Sequence, residues 1–190
     1  MVRAILEGRK TQTRRVVDGA WHEAEGYLQS DPEGEDDQSW YFACRGIPAS
    51  FVAECPYGKV GDRLWVREGF LVQPSIWKKH HGPQPVHYMA DTKKTEAEDY
   101  IGKPSIHMPR WASRITLEIV SVRVERLQEI NDDDALAEGV TGEEDLVNDQ
   151  PLPNMCFKAL WESIHGKDSW DKNPWVWVLQ FKTVASGGRQ

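Results

Sequence analysis

Arg114-Ile115-Thr116-Leu117-Glu118-Ile119-Val120-Ser121-Val122-Arg123-Val124-Glu125 is the longest β signal in the chain. Ile115, Leu117 and Ile119 hold one phase of a two-residue repeat, and Val120, Val122 and Val124 hold the other. Successive side chains of a strand point to opposite faces, so one buried face cannot take both phases without an irregularity. The inward face is therefore predicted to switch near Ile119-Val120, through a β-bulge or a barrel corner. A curved sheet with helical segments around it makes the fold class α+β.

Working outward, Asn131-Asp132-Asp133-Asp134-Ala135-Leu136-Ala137-Glu138-Gly139 carries an Asn cap, acids in its first turn and a terminal glycine, predicting a short helix that presents Glu138. Pro153 to His165 reads as a second helix with Met155, Leu160, Trp161 and Ile164 as its apolar stripe and Gly166 as its stop. Pro174 to Phe181 is a terminal strand, apolar on both faces until Gln180. Upstream, Pro56 to Glu68 is a glycine-rich turn entering a strand, with Leu64 and Val66 on one side and Arg63, Trp65 and Arg67 on the other. Val86 to Ala90 is a further strand. The polar stretches over about 18–50 and 91–103 read as two loop insertions in a single domain spanning 1–190, and 185–190 as a frayed tail.

A chain of 190 residues suits one domain with a real core. No apolar run approaches the roughly 20 residues of a membrane helix and no secretory leader is evident, so a soluble cytoplasmic protein without a membrane partner is expected. Cys44, Cys55 and Cys156 are widely spaced and are expected to be reduced thiols. His80, His81 and His87 lack carboxylates or cysteines at ligand spacing, so no metal is expected, and nothing calls for a cofactor. The net charge of -7 argues against coating nucleic acid through bulk charge, yet leaves room for a local basic cleft. Nine tryptophans suit the packing of a β-rich domain, with one or two available to stack on a base.

The N-terminus runs against the global charge. Val2 to Glu7 has helical spacing, and Gly8-Arg9-Lys10-Thr11-Gln12-Thr13-Arg14-Arg15 follows as a basic turn. A threonine hydroxyl is a weak nucleophile that needs a base. A lysine serves as one only where burial or positive neighbours such as Arg9, Arg14 and Arg15 lower its pKa. Thr11 and Thr13 both offer the hydroxyl, and Glu138 reads equally as a solvated helix end. Lys10 and Thr13 converge only if the backbone turns between them, because they lie on opposite faces of a regular strand. A second basic and aromatic stretch, Ile106 to Arg114, contains Arg110 and Trp111, residue types suited to phosphate contact and base stacking.

The order of helix, GRKTQTRR turn, GDRLWVRE strand, long strand, DALAEGV helix, LWESI helix and WVWVLQF strand resembles the ASCH domain family, within the PUA-like small β-barrels, and most of all the ASCH proteins encoded by tailed phages and prophages. That resemblance implies a small barrel flanked by short helices, with RNA or a modified nucleoside as partner. The family includes RNA-associated modules, a ribonuclease and a metal-independent amidohydrolase of N4-acetylcytidine. Matched motif by motif, the amidohydrolase's catalytic lysine, threonine and glutamate fall on Lys10, Thr13 and Glu138. The alternative in the same family is a non-catalytic RNA-binding module or ribonuclease, for which Arg9, Arg14, Arg15, Arg110 and Trp111 are the contacts. A strand that usually precedes the first helix in the family has no counterpart ahead of Val2; the resemblance implies either a truncated chain or a misassigned start, and a missing strand would leave a barrel edge unpaired.

Overall fold

The computed structural model describes residues 1–17, 27–30, 40–43, 52–53, 55–77, 83–92, 100–141 and 152–184. Its strands are β1 (Gln12–Val16), β2 (Tyr27–Ser30), β3 (Trp40–Ala43), β4 (Val52–Ala53), β5 (Arg63–Trp65), β6 (Phe70–Val72), β7 (His87–Tyr88), β8 (Ile101–Lys103), β9 (Thr116–Arg126) and β10 (Trp175–Val184). The helices are α1 (Val2–Leu6), α2 (Pro74–Trp77), α3 (Asp132–Ala137) and α4 (Pro153–His165). A curled four-stranded antiparallel sheet, ordered β1-β10-β9-β5, forms a half-barrel at the centre. Two three-stranded antiparallel sheets, β2-β3-β4 and β7-β6-β8, accompany it. Helices and antiparallel sheets together make the fold α+β.

The phase switch in the long strand is a bulge. Gln180 pairs with Ser121 and Phe181 with Ile119, so Val120 has no partner opposite it and is exposed. The extra residue brings Leu117 and Ile119 onto the same face as Val122 and Val124, while β10 runs through without interruption. The central sheet thereby keeps two distinct faces. Across the first, Thr13, Leu179 and Val122 form one row and Arg15, Trp177 and Val124 the next. Across the second, Gln12, Gln180 and Ser121 form a row, followed by Arg14, Val178 and Arg123, and then Val16, Val176 and Glu125. α3 and α4 cover the second face, where Leu127, Ile130, Ala135, Phe157 and Trp161 pack on Val176 and Val178. α1 covers part of the first through Ile5, packed on Ile115, Leu117 and Phe181.

Three expectations are corrected. The buried residues of α4 are Phe157 and Trp161, one turn apart, whereas Met155 is 59% and Ile164 55% exposed; the helix is rotated so that its aromatic pair meets Val176 and Val178. The segment from 18 to 50, expected as a loop, contains β2 and β3, whose Tyr27-Leu28 and Trp40-Tyr41-Phe42 supply β-forming residues among the glycines and acids. Likewise 101–103, placed in the second insertion, is β8 and pairs with β6. The tail from 185 to 190, Cys44, His80 and His81 lie outside the described residues; neither Cys55 nor Cys156 is joined in a disulfide among the described residues.

On its helical face the sheet carries charge as well as apolar bulk. The Arg14 side chain is fully enclosed and donates to Glu125, to Asp134 at 2.8 Å and to Glu138 at 3.3 Å. Arg123 reaches Glu125 at 3.0 Å and Asp134 at 2.8 Å. Gln12, also fully buried, donates to Asp134 and accepts from Arg123 and Gln180 at 3.1–3.2 Å. Breaking a buried ion pair from one side costs about 3–5 kcal/mol, because the partner charge is left without compensation. Since each carboxylate keeps one other cation, Arg14→Met is expected to lower the unfolding free energy by about 3 kcal/mol in urea titration. A loss below about 1 kcal/mol would show that the network adds little to the fold.

Candidate functional site

Lys10 sits at a crossing of three elements. α1 ends in Gly8 at φ +73°, and the chain then turns so that the Lys10 amide donates to the Ala4 carbonyl at 2.9 Å. The next amide, Thr11, donates to Ala137 of α3 at 2.8 Å, and the Thr11 carbonyl accepts from Phe181 of β10 at 2.8 Å. These bonds tie the GRKT turn to α3 and to the sheet before β1 begins. The expected turn is thus a short connector, and Gln12 to Val16 of the motif is strand.

α3 is built as its sequence predicts. Asn131 Oδ1 accepts from the Asp134 amide at 2.8 Å, three acids occupy the first turn, and Glu138 ends the helix. Gly139 follows at φ +85°. A Cβ at Gly139 would stand 2.9 Å from Lys10 Cβ and 3.1 Å from Ala4 Cβ, so both backbone conformation and space require glycine.

Lys10 is 4% exposed. Its Nζ donates to Glu138 Oε2 at 2.7 Å and to the Glu138 carbonyl at 2.8 Å, meeting both a carboxylate and a helix-terminal carbonyl. Glu138 is buried, and its other oxygen accepts from Arg14. It is therefore not a solvated helix end. Burial pulls the Lys10 pKa below its ordinary value; the Glu138 charge and hydrogen bond act upwards, and the Arg15 and Arg14 charges act downwards. The downward effects prevail, so the neutral amine is more accessible than in a solvated lysine.

A cavity of about 370 Å³ opens on the first face of the sheet. Lys10 and Thr13 both line it, together with Arg15, Tyr57, Trp65 and Arg67 among apolar neighbours that include Leu117, Leu179 and Phe181. Thr13 reaches it because odd-numbered residues of β1 face that side. Lys10 precedes the strand and is not bound by the alternation, which is how the two side chains come to share one space. Thr11 is exposed and does not line the cavity.

No protein-family model, curated protein or solved structure matches this chain. The site is therefore read from its own residues. Arg14, expected as a nucleic-acid contact, is enclosed on the opposite face of the sheet and committed to carboxylates. Arg9 is exposed and pairs with Glu7 at 2.5 Å. Arg15 lines the cavity. Arg110 and Trp111 lie in a 3-10 turn outside it: the Arg110 guanidinium stands 5.6 Å from the centre of the Trp65 ring, and Trp111 is 38% exposed and 6.4 Å from Trp77. Glu68 is buried and takes two hydrogen bonds from Arg114, at 2.9 and 3.0 Å. Among the described residues no group of His, Cys, Asp and Glu is arranged to hold a metal ion, and no helix is long and apolar enough to cross a membrane.

Sequence reading missed Tyr57 and the cavity roles of Trp65 and Arg67. It also missed that Gln12, Arg123, Glu125 and Asp134 anchor Glu138 through Arg14. One signal for the latter was Gln180, a polar residue interrupting the apolar run from Trp175 to Phe181; it faces Gln12 across the strands.

Gly139→Ala provides a direct test of the packing at Lys10. Strain at positive φ and the contact with Lys10 Cβ are each of the order of 1 kcal/mol, so the variant is expected to lose about 2 kcal/mol of stability in urea titration. A variant as stable as the parent would show that Gly139 does not hold Lys10 against Glu138.

Proposed function

We propose that the chain is an ASCH-type, PUA-like protein whose cavity hydrolyses the acyl amide of an N4-acylated cytidine nucleoside. The observation that carries this reading is that a buried lysine, held by a buried glutamate at 2.7 Å, lines the same cavity as a threonine hydroxyl. The volume falls in the range of about 300–1,000 Å³ common for small-ligand sites and suits one nucleoside better than a length of polymer.

In this reaction the neutral Nζ of Lys10 takes the Thr13 hydroxyl proton as Oγ bonds to the acyl carbon. The tetrahedral intermediate collapses with cleavage of the bond between the acyl carbon and N4, and the Lys10 ammonium returns the proton to the leaving N4. Water then attacks the acyl-threonine, losing a proton to Lys10 that is passed back to Thr13 Oγ. Glu138 fixes the position of Nζ throughout, through its carboxylate and its carbonyl. Its upward pull on the Lys10 pKa keeps the ammonium available as the acid of the second step. The chemistry asks for no cofactor and suits a cytoplasmic setting.

A second reading, contact with RNA, is favoured by one arrangement: Arg110 lies over Trp65, which itself lines the cavity, so a basic and aromatic pair adjoins the site.

Incubation with N4-acetylcytidine, followed by chromatography for cytidine, is expected to show release that rises with pH as Lys10 loses its proton. Lys10→Met is expected to slow release about 10²–10⁴-fold, the usual worth of a general base, and Thr13→Ala to abolish acyl-enzyme formation. Absence of release, or release unaffected by Lys10→Met, would overturn the reading.

A further inference from the structure

Among the described residues, the charged side chains lining the cavity are those of Lys10, Arg15 and Arg67, with no aspartate or glutamate beside them. Lys10 is neutralised by Glu138. Arg15 and Arg67 have no carboxylate within ion-pair distance among the described residues. Arg15 donates to the Arg14 carbonyl at 3.4 Å, and the Arg67 guanidinium lies 4.6 Å from the centre of the Trp65 ring. In a chain with 30 acidic and 23 basic residues, two arginines at one cavity with no acidic partner among the described residues are out of keeping with the overall charge.

The Arg15 charge reaches its neighbours. Burial lowers the pKa of both Lys10 and His165, and Arg15 lowers each further. Besides the cations, Val2, Ile5, Leu64, Leu117, Leu179 and Phe181 line the cavity with apolar surface. The cavity therefore complements a ligand with one flat, weakly polar part and one anionic part. Guanidinium groups pair with phosphate oxygens through two parallel hydrogen bonds, a geometry that a lysine does not reproduce.

We propose that the ligand of this cavity is a nucleoside 5′-monophosphate, its base and sugar on the apolar walls and its phosphate held by Arg15 and Arg67. The nucleoside portion rests on the function proposed above; the anionic portion rests on the two arginines alone.

Isothermal titration calorimetry of the full chain compares cytidine, cytidine 5′-monophosphate, inorganic phosphate and a short cytidine-rich oligoribonucleotide. The monophosphate is expected to bind at least about tenfold more tightly than cytidine at low ionic strength, the worth of one charge-assisted contact. That advantage is expected to shrink with added salt. Arg15→Gln and Arg67→Gln are each expected to lower monophosphate affinity toward that of cytidine while leaving cytidine binding in place. Undetectable binding of the monophosphate, equal affinity for the two, or an advantage that survives in the double variant would overturn the proposal. Phosphate alone binding as tightly as the monophosphate, or the oligoribonucleotide binding more tightly, would overturn it as well. Binding is read without turnover, so a protein that binds the monophosphate and hydrolyses nothing fails only the reaction. One that hydrolyses neutral N4-acetylcytidine without phosphate preference fails only this inference.

Discussion

A guanidinium sealed from water must be neutralised where it stands, and the Arg14 side chain meets that demand with carboxylates from β9, from α3 and from the residue that ends α3. The requirement acts as a positional lock. Arg14 can satisfy Glu125 only in the register that places it beside Val178 and Arg123, and it can satisfy Asp134 and Glu138 only if α3 lies across that part of the sheet. One carboxylate oxygen of Glu138 is occupied in this way, and the other faces Lys10. The lysine at the cavity is thus positioned by charges on the far side of the sheet.

The two faces of the central sheet divide the work. Its helical face contains the apolar packing of α3 and α4 and the charge network; its other face carries the cavity with Thr13 and Arg15. Both are written into β1 by simple alternation, Gln12, Arg14 and Val16 one way and Thr13 and Arg15 the other. The bulge at Val120 sustains the division along β9. Without it, Val122 and Val124 would face the helices, and Arg123 and Glu125 would face the cavity, removing the partners of Arg14 and Gln12.

Much of this was legible in the sequence, because the relevant signals are local. The bulge followed from two competing phases in one strand, and α3 from an Asn cap, a run of acids and a glycine whose backbone angle demands it. The pairing of Lys10 with Glu138 spans 128 residues and came through resemblance to a family's motifs, since no local pattern encodes it. Arg14 was misread because β1 carries polar residues in both phases, so alternation alone gives no inward side. The stripe of α4 was misplaced for a related reason: Met155, Phe157, Leu160, Trp161 and Ile164 spread around much of the helix, and the choice among them is made by Val176 and Val178 in the sheet. β2 and β3 were hidden because strands of four residues between glycines and acids give a weak periodic signal.

The central claim is that Lys10 is a buried amine held at the cavity by Glu138, with a proton affinity set by desolvation. The most direct measurement is a pH titration of the Lys10 Nζ resonance by nitrogen-detected NMR, in the parent protein and in Glu138→Gln. The account requires a midpoint below the ordinary value of 10.5 in the parent and a lower one still in the variant, where the upward pull of the carboxylate is lost. A Lys10 midpoint at or above 10.5 in the parent, or a rise in the variant, would contradict it.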